Sequence, residues 1–553
     1  MKKSTTRWRG LVMLAAVLIV AGLLLSACGS SSTSTSSSSA AASPKAGGTY
    51  NFVLGSDPVA IDPLMSYESE GMQVVHQVFQ GLVQGTVDAK GNIVASPGLA
   101  TSWETTDNQT YTFHLKQGVT FAPPVNREVT AQDFVDSWNY VTDPKNASTV
   151  SYILAPVEGC ASSGYWADPK KGLTGVSAPD KYTFKVTLQY PFADFINSLL
   201  HPVSSAQPVD YINKVGYKAF HEKPVGTGPY MVTKWQHKQA IDLVRNPSYW
   251  DKANAGYVDD IHMPIITSQQ TAWLEFQKGS VDYTHVPPGQ VRASQNMAQV
   301  KSGEWTAKGW PYITNDYTLF NQTDPVVGGT QGLELRKAIY MAADAQTLIN
   351  IVYEGQAVPA TSFSPQGLPG WVPNLSPYKT NDPAGAKAIL ANLTVPTLNY
   401  WYNTDESNQK TAEVLQAGWK AVGVNVKLAQ FEWATFLDKT VKGQGQIYRA
   451  GWIADYPSLD NFLYPLFQSQ QPAFNNNGHY KNKAFDALLS KARATADATQ
   501  RLDLYHQAET MMLTDAAAIP LAYPRAYRVT NNRIGGFYQD PQAFINMWKL
   551  WVK

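Results

Sequence analysis

The chain has 553 residues, and at about 100–200 residues per domain this length predicts two to four domains. Its 44 Lys and Arg against 43 Asp and Glu give a net charge of +1, which excludes a polyanion binder driven by a global basic field and an acidic disordered chain. Two cysteines exclude a disulfide scaffold and a zinc module with four thiolates. Aromatic residues are abundant at 12%, while charged residues are scarce at 16%.

The N-terminal segment has the features of a secretory signal. Met1–Gly10 contains four basic residues and no acidic one, and Leu11–Leu25 is apolar throughout. Such a run is short for a membrane span and typical of a signal peptide. It ends in Leu25–Cys28, which resembles the lipobox of bacterial lipoproteins. We therefore expect residues 1–27 to be a lipoprotein signal peptide and Cys28 to carry lipid. An ordinary signal peptide with a chance cysteine is the alternative.

A Ser-rich stretch follows, and residues 28–45 are predicted to be a flexible tether because such a sequence cannot bury a core. Four of the 44 basic residues precede Cys28, so the remainder carries 40 basic and 43 acidic residues, a net charge of −3. The expected location is the outer face of the cell membrane, held there by the lipid on Cys28. Cys160 then lacks an internal partner and is expected to be a buried, inert thiol.

The first half of the chain shows mainly strand patterns. Gly48–Gly55 alternates as a strand, and Ser69–Phe79 is predicted to be a helix. Gln109–Lys116 and Lys181–Leu188 alternate as half-buried antiparallel strands. Between them, Thr130–Asp133 resembles a capping box with Asp in the acidic position, which predicts the start of a helix.

The second half predicts a parallel sheet. Thr397–Tyr402 is a predicted strand, Ser407–Val422 a predicted helix that ends before Gly423, and Val424–Leu428 alternates as the next strand. A strand, helix and strand in this order predict a βαβ crossover. Further helices are predicted to start at Asp382-Pro383 and to cover Ala484–Ala494 and Asp503–Leu513. The chain is therefore predicted to have an α/β body with an antiparallel-rich insertion.

Motifs for catalysis or metal binding are missing from the sequence. The nine His form no H-x-H or H-x-x-x-H pair, and there is no C-x-x-C, G-x-S-x-G, Walker or G-x-G-x-x-G sequence. We expect no enzyme activity, cofactor or metal site, although composition leaves a glycosidase carboxylate pair open. Val225–Tyr230 lacks the Lys and the following helix of a phosphate loop, so we interpret it as a tight turn that needs glycine torsions.

The segment Arg449–Tyr456 is apolar apart from two opposite charges. Buried charges must be paired or must bind a ligand. An internal Arg449–Asp455 pair and a ligand site are therefore the two interpretations.

A series of short motifs resembles the oligopeptide-binding family of extracellular solute-binding proteins (family 5) that serve peptide ABC transporters. Each motif is weak alone, but their order and spacing are specific, and the resemblance covers nearly the whole chain after the tether. The motifs are Ile61–Pro63, Phe79–Leu82, Leu99–Trp103, Tyr111–Leu115, Val129–Phe134, Val225–Tyr230, Arg245–Trp250, Arg336–Asp344 and Ile519-Pro520.

The resemblance implies an α/β, two-lobe, periplasmic-binding-protein-like fold with an extra insertion domain and hinge closure on the ligand. Lobe I would comprise residues 46–83, 205–311 and 523–553, with residues 84–204 as an insertion subdomain packed on it. Lobe II would comprise residues 312–522.

The resemblance also implies a function: a lipid-anchored binding protein that captures oligopeptides and delivers them to an ABC transporter permease, as a monomer and without nucleic acid. Asp455 would bind the ligand's α-amino group, and Arg449 would either bind a ligand carboxylate or hold Asp455. The remaining implied ligand-binding residues are Trp433, Trp452, Tyr312, Tyr456, Ser66, Tyr67 and Glu68.

Two departures keep alternatives open. Some family members have a disulfide at the positions of Thr314 and Ile453, and here both cysteines are absent. Polar residues at Thr404-Asp405 and Asn475–Asn477 would also suit an oligosaccharide or another polar solute, such as a metal chelate or haem, for the same transporter type. A third alternative is an enzyme or a structural protein associated with peptidoglycan.

Overall fold

The computed structural model describes residues 44–89, 91–310 and 312–553. The predicted signal peptide, most of the tether and Cys28 lie outside the described residues. Within the described part, none of the helices combines the length and the apolar character that a membrane crossing requires.

The strands are short and spread over the whole described chain. In chain order they are β1 (Thr49–Asn51), β2 (Val83–Val87), β3 (Ile93–Pro97), β4 (Ala100–Glu104), β5 (Thr110–Leu115), β6 (Val176–Asp180), β7 (Thr183–Thr187), β8 (Tyr230–Gln236), β9 (Ala240–Arg245), β10 (Asp260–Pro264), β11 (Tyr283–His285), β12 (Trp305–Trp310), β13 (Thr314–Phe320), β14 (Ala357–Pro359), β15 (Leu398–Asn403), β16 (Val426–Phe431), β17 (Ile447–Ile453), β18 (Ala518–Pro524), β19 (Ala526–Asn531), β20 (Ile534–Gly535) and β21 (Trp551–Val552).

The longer helices are concentrated in the second half. In chain order the helices are α1 (Ser69–Val78), α2 (Ala131–Thr142), α3 (Phe195–Ser198), α4 (Val209–Val215), α5 (Tyr217–Glu222), α6 (Gln269–Gln277), α7 (Val291–Gln295), α8 (Ala298–Lys301), α9 (Leu333–Ala342), α10 (Ala345–Ile351), α11 (Pro383–Leu390), α12 (Glu406–Ala421), α13 (Trp433–Val441), α14 (Asp460–Phe467), α15 (Lys483–Arg493) and α16 (Ala498–Thr514). Every helix and strand predicted above is confirmed, with ends shifted by a few residues.

The second half is built on a six-stranded sheet in the order β14-β18-β13-β17-β15-β16. β15 and β16 pair in parallel, with Leu398 opposite Val426, and α12 connects them. The predicted βαβ crossover is therefore confirmed. Gly423 follows the helix with φ of +94°, a left-handed conformation that glycine adopts without steric cost. β13 lies in the middle of the sheet and runs antiparallel to both β17 and β18.

The remaining larger sheets use the first half and the C-terminal end. They have the orders β1-β10-β9-β8, β11-β19-β12 and, in the predicted insertion, the antiparallel β4-β5-β7-β6. Because β19 returns to pair with β11 and β12, the chain crosses to the six-stranded sheet and comes back. We call β1–β12 with β19–β21 the first lobe and β13–β18 the second lobe. The exact residue boundaries stay a prediction.

The apolar cores follow the same division. Two clusters draw only on residues between 313 and 522, and they pack the two faces of the six-stranded sheet. The largest cluster gathers residues 50–283 with C-terminal residues and one residue of the second lobe, Tyr456. The abundant aromatic residues are largely in these cores, for example Trp138 and Trp419, each with no exposed surface. Burial of such large apolar surfaces is the main stabilising contribution to each lobe.

Side-chain caps explain several helix starts. The Asp133 carboxylate accepts a 2.8 Å hydrogen bond from the Thr130 backbone N–H, as expected for the capping box of α2. Asp382 accepts from the Gly385 N–H at 2.9 Å at the start of α11. Caps of this kind satisfy backbone N–H groups that have no partner within the helix.

The glycines of Val225–Tyr230 have a different role from the predicted one. Neither Gly226 nor Gly228 has a positive φ, so the interpretation from torsions is wrong. The turn packs directly against the end of α1: the Gly228 N–H donates to the Val78 carbonyl at 2.8 Å. A Cβ on Gly226 would lie 2.2 Å from that same oxygen. Glycine is needed here because two backbones approach closely.

We therefore expect Gly226→Ala to lower the free energy of unfolding by about 1–3 kcal/mol, the usual cost of overpacking a site that must shift. Urea unfolding followed by circular dichroism measures this change. Gly85→Ala is the matched control, because its Cβ would lie no closer than 3.4 Å to a neighbouring atom. Equal stability of the two variants would contradict the close-approach argument.

Candidate functional site

A cavity of roughly 400 Å³ lies between the two lobes. The second lobe contributes β17 and the start of α13, and the first lobe contributes the start of α1, β11 and β19. The side chains that define its chemistry include Tyr67, Glu68, His285, Tyr312, Asp316, Trp433, Arg449, Trp452, Asp455, Asn475 and Arg528. A cavity with aromatic walls and a few polar groups is the usual form of a small-ligand site.

Asp455 follows the end of β17 and presents its carboxylate to this cavity. Its Oδ2 accepts hydrogen bonds from the Tyr152 hydroxyl and, at 2.9 Å, from the Asn461 side-chain amide. Asn461 in turn accepts from the Asp455 backbone N–H at 2.8 Å. Among the described residues, no Lys, Arg or His forms an ion pair with Asp455. The second lobe thus holds a carboxylate whose charge has no cationic partner.

Burial raises the pKa of Asp455 to about 6, because removal of water disfavours the charged form. The hydrogen bonds from Asn461 and Tyr152 oppose this rise. An ammonium group of a ligand would supply the missing countercharge and would stabilise the ionised carboxylate strongly.

Arg449 is not the partner of Asp455. Its guanidinium lies 3.4 Å from Oδ1 of Asp316 on the neighbouring strand β13, while the Tyr353 hydroxyl donates to the other oxygen of Asp316. The interpretation of an internal Arg449–Asp455 pair is therefore wrong. Arg449 lies near the start of β17, and Asp455 follows the end of this strand six residues later, so their side chains occupy different parts of the cavity wall.

Aromatic side chains form much of the cavity wall. Trp433 starts α13 and packs on Phe436, with ring centroids 6.1 Å apart. The Trp452 indole N–H donates to the Asn461 side-chain oxygen at 3.0 Å, which links this ring to the Asp455 network. Tyr312 also lines the cavity. Trp433 and Trp452 belong to the second-lobe wall, whereas Tyr312 lies on the segment between β12 and β13. All three offer rigid apolar faces to a ligand.

The three predicted residues before α1 differ in their positions. Tyr67 faces the cavity, and its ring centroid lies 6.0 Å from that of Phe474 in the second lobe. Glu68 lines the cavity but caps α1, accepting from the Glu70 and Gly71 N–H groups at 2.9 Å each. Ser66 is 1% exposed and is not part of the lining.

Tyr456 also lies outside the lining. It is 1% exposed and belongs to the large apolar core of the first lobe. Its hydroxyl donates to the Asp460 carboxylate at 2.7 Å. The structure thus gives Tyr456 a packing role between the lobes, and Ser66 and Tyr456 are not retained as ligand-binding candidates.

Several site residues were missed from the sequence. Tyr152 and Asn461 have no local motif, because their importance comes from contact with Asp455, in the case of Tyr152 across the lobe interface. Asn475 was noted only as a polar residue. It is 3% exposed and lines the cavity, and neither polar atom of its side chain has a partner among the described residues. An unpartnered buried amide of this kind is suited to bind a polar ligand group.

Thr314 and Ile453 are directly opposite each other on β13 and β17. The Thr314 hydroxyl donates to the Trp452 carbonyl at 2.8 Å. Strand pairing therefore brings together the two positions that the resemblance associates with a disulfide, and the hydrogen bond joins Thr314 to the residue before Ile453.

Hydrogen bonds between the lobes surround the cavity. Ser458 donates to Asp194 at 2.8 Å, and Tyr464 donates to the Ser162 carbonyl at 3.0 Å. On the other side, Ser268 donates to Glu406 at 3.1 Å. In the part of the chain that is described, no group of three or more His, Cys, Asp or Glu side chains is arranged to hold a metal ion. Cys160 is a buried free thiol, as predicted, and burial raises its pKa well above the usual range.

Comparison with known proteins agrees with this architecture. Residues 95–474 match the family described as bacterial extracellular solute-binding proteins, family 5 Middle. The chain is 32% identical over 524 residues to the periplasmic oligopeptide-binding protein OppA of Salmonella typhimurium, which covers 90% of this chain and 91% of that protein.

Two solved structures are informative about conformation. Haemophilus influenzae OppA in complex with the peptide RPPGFSPFR is 25% identical, with a TM-score of 0.82 over 92% of this chain and all of that one. The unliganded open form of the murein tripeptide binding protein MppA is 26% identical, with a TM-score of 0.62 over 91% of this chain and 97% of that one. The two-lobe α/β fold is thus shared with both, and the TM-score is higher with the peptide complex than with the open form. Members of the matching family bind solutes and are not enzymes. The chain belongs to the bacterial extracellular solute-binding proteins of family 5.

Proposed function

We propose that this protein captures oligopeptides outside the cytoplasm by their α-amino group and delivers them to the permease of an ABC transporter. The observation that carries the proposal is the Asp455 carboxylate, which faces the cavity with hydrogen bonds but without a cation. An isolated buried charge is costly, and a ligand ammonium removes that cost. The Salmonella relative is named an oligopeptide-binding protein, and the Haemophilus relative was solved in complex with a peptide.

β17 pairs with β13 along one edge and only partly with β15 along the other, and this second edge favours binding of an extended peptide. β15 pairs with β17 only at Ile447 and Tyr448, so in the described chain no strand covers that edge from Arg449 to Ile453. Gly451 and Ile453 line the cavity. A peptide with its amine at Asp455 would run along this edge as an added strand, and backbone hydrogen bonds would then give affinity without dependence on peptide sequence. The residues proposed to contact ligand side chains are Trp433, Trp452, Tyr312 and Tyr67. Arg449 would contribute to the site as an ion pair with Asp316.

The proposal includes closure of the lobes by a hinge and attachment to the cell membrane through lipid on Cys28, with the protein acting as a monomer. Closure is supported by the contacts on both sides of the cavity, since each joins one lobe to the other. Attachment is supported by the lipobox-like Leu25–Cys28 and the Ser-rich tether after it. Two or more acyl chains attached at this cysteine would anchor the protein stably to the membrane, because one acyl chain alone binds only marginally.

A saccharide is the second candidate ligand. The aromatic walls and the unpartnered amide of Asn475 favour it, because sugar rings stack on aromatic faces and their hydroxyls bond amides. A neutral sugar, however, would leave the Asp455 charge without a partner. The test below therefore separates the two ligand classes.

Replacement of Asp455 tests the peptide proposal. We expect Asp455→Asn to weaken binding of free-amine tri- to pentapeptides by about 2–5 kcal/mol, since the ligand ammonium loses its countercharge. N-acetylation of the peptide should weaken binding to the unaltered protein similarly and should have little further effect in the variant. Isothermal titration calorimetry measures all four combinations.

Asp438→Asn is the matched control, because that carboxylate is exposed on α13 and pairs with Lys442 outside the cavity. It should bind peptides as the unaltered protein does. Equal affinity for free and acetylated peptides in the unaltered protein would contradict the role of Asp455. Binding of saccharides but no peptide would favour the second candidate.

Cys28→Ser tests the lipid anchor. We expect this variant, expressed in a bacterial host, to lose metabolic labelling by radioactive palmitate and to leave the membrane fraction, because the acylated thiol is gone. Cys160→Ser is the control, since that thiol is buried in the first lobe, and it should be labelled normally. Labelling of Cys28→Ser at the level of the unaltered protein would contradict lipidation at this residue.

A further inference from the structure

We propose that Arg528 forms a carboxylate-binding subsite in the same cavity, so that the protein selects peptides with an anionic group at a fixed place relative to the α-amine. This inference rests on the proposed function and adds the charge pattern of the ligand. The observation that supports it is which charged side chains around the cavity form ion pairs and which do not.

Arg528 lies in the middle of β19 on the first-lobe wall, whereas Asp455 belongs to the second-lobe wall. Its neighbours across the sheet are His285 on β11 and Lys308 on β12. The side chain is half-buried and lines the cavity. Its position is therefore fixed by two flanking strands, which makes it a rigid platform for a ligand group.

The guanidinium has few partners. One terminal N–H donates to the carbonyl of the preceding Tyr527 at 3.2 Å. Its Nε is buried without a hydrogen-bond partner among the described residues. No carboxylate of the described residues lies within 4.0 Å of its nitrogens. A guanidinium has five N–H donors, so most of its hydrogen-bonding capacity remains available to a ligand.

The other cavity charges are already paired or capped. Arg449 and Asp316 pair with each other, and Glu68 accepts backbone N–H groups at the start of α1. This leaves Asp455 and Arg528 as the two enclosed charges of the lining that form no ion pair within 4.0 Å in the described chain, although Glu70, outside the lining, lies near enough to Arg528 to interact with its charge. A second arginine of the lining, Arg525, is exposed.

Three titratable neighbours of Arg528 are neutral and therefore leave its positive charge uncancelled. Burial lowers the pKa of His285 well below its usual value, and Arg528 adds to this shift. Burial raises the pKa of Tyr283 and of Tyr312, and Arg528 opposes both rises, in the case of Tyr283 also through a side-chain hydrogen bond. These three side chains are therefore uncharged at neutral pH. Glu70 is close enough for Arg528 to lower its pKa, while burial raises that pKa to about 7.

One free carboxylate and one free guanidinium on opposite walls match a ligand with one cation and one anion. The guanidinium binds carboxylates through two parallel hydrogen bonds. In a peptide the carboxylate has two sources, the C-terminus or the side chain of Asp or Glu. Both present the same group, and the experiment separates them.

The test is calorimetric titration of the unaltered protein and of Arg528→Met with two matched sets of peptides. The first set contains alanine tri-, tetra- and pentapeptides as free acids and as C-terminal amides. The second set contains C-terminal amides of the same lengths with Glu or Gln at each position. We expect the unaltered protein to prefer the carboxylate form in one set by about 10- to 100-fold, as for a charge-assisted hydrogen bond.

Arg528→Met should abolish that preference while binding of the neutral partner peptide persists, which also shows that the variant is folded. Arg528→Lys should keep part of the preference. Arg292→Met, the matched control at an exposed arginine outside the cavity lining, should keep all of it. The set in which the preference is lost identifies the source of the carboxylate.

An unchanged carboxylate preference in Arg528→Met would overturn the subsite and leave the proposed function intact. The absence of any preference in the unaltered protein would also overturn the subsite alone. Failure of the unaltered protein to bind any of these peptides would overturn the proposed function and, with it, the subsite.

Discussion

The uncompensated carboxylate of Asp455 is the constraint around which the proposed site is organised. A carboxylate removed from water costs free energy unless hydrogen bonds or a countercharge replace the lost solvation. Here Asn461 and Tyr152 supply hydrogen bonds, and no cation of the described residues supplies a charge. The raised pKa of Asp455 shows that the ionised carboxylate is still disfavoured by its burial. A ligand that brings a positive charge would remove this cost, and one group would then supply both affinity and orientation in a protein with few charged residues.

The same carboxylate couples ligand binding to the arrangement of the lobes. Tyr152 belongs to the predicted insertion of the first lobe, whereas Asp455 and Asn461 belong to the second lobe, so this network exists only when the lobes are together. Further hydrogen bonds and the packing of Tyr456 in the first-lobe core join the lobes around it. A ligand held by groups from both lobes would stabilise this arrangement by its greater affinity for it. The higher TM-score with a peptide complex than with an open form agrees with this picture.

Much of the fold could be predicted from local patterns. Alternation gave β5 and β7, and the sequence around Gly423 indicated the end of α12 and the parallel strand after it. These signals are local because each depends on residues that are neighbours along one element. The glycines of Val225–Tyr230 show the limit. Their presence was noticed, but the reason for it, contact with the end of α1, depends on tertiary packing.

The site was less predictable for the same reason. Asp455, Trp433 and Trp452 were found because the resemblance to a known family implies them as ligand-binding residues. The partner of Arg449 could not be found, because Asp316 is more than a hundred residues away and becomes its neighbour only through the pairing of β13 with β17. Tyr152 lies in a short 3-10 helix and Arg528 in an ordinary strand. The significance of Tyr152 comes from its contact with Asp455, and that of Arg528 from its place in the cavity lining. No local pattern encodes either relation.

The most direct test of the central claim is the number of protons released when a free-amine peptide binds near pH 6. With a pKa of about 6, Asp455 is protonated in about half of the molecules at that pH. An ammonium ligand must displace this proton. Calorimetry in buffers with different ionisation enthalpies should therefore show a release of about half a proton at pH 6 and about a tenth at pH 7, and the difference should vanish in Asp455→Asn. Binding enthalpies at pH 6 that depend on buffer equally in the unaltered protein and in this variant would contradict the account.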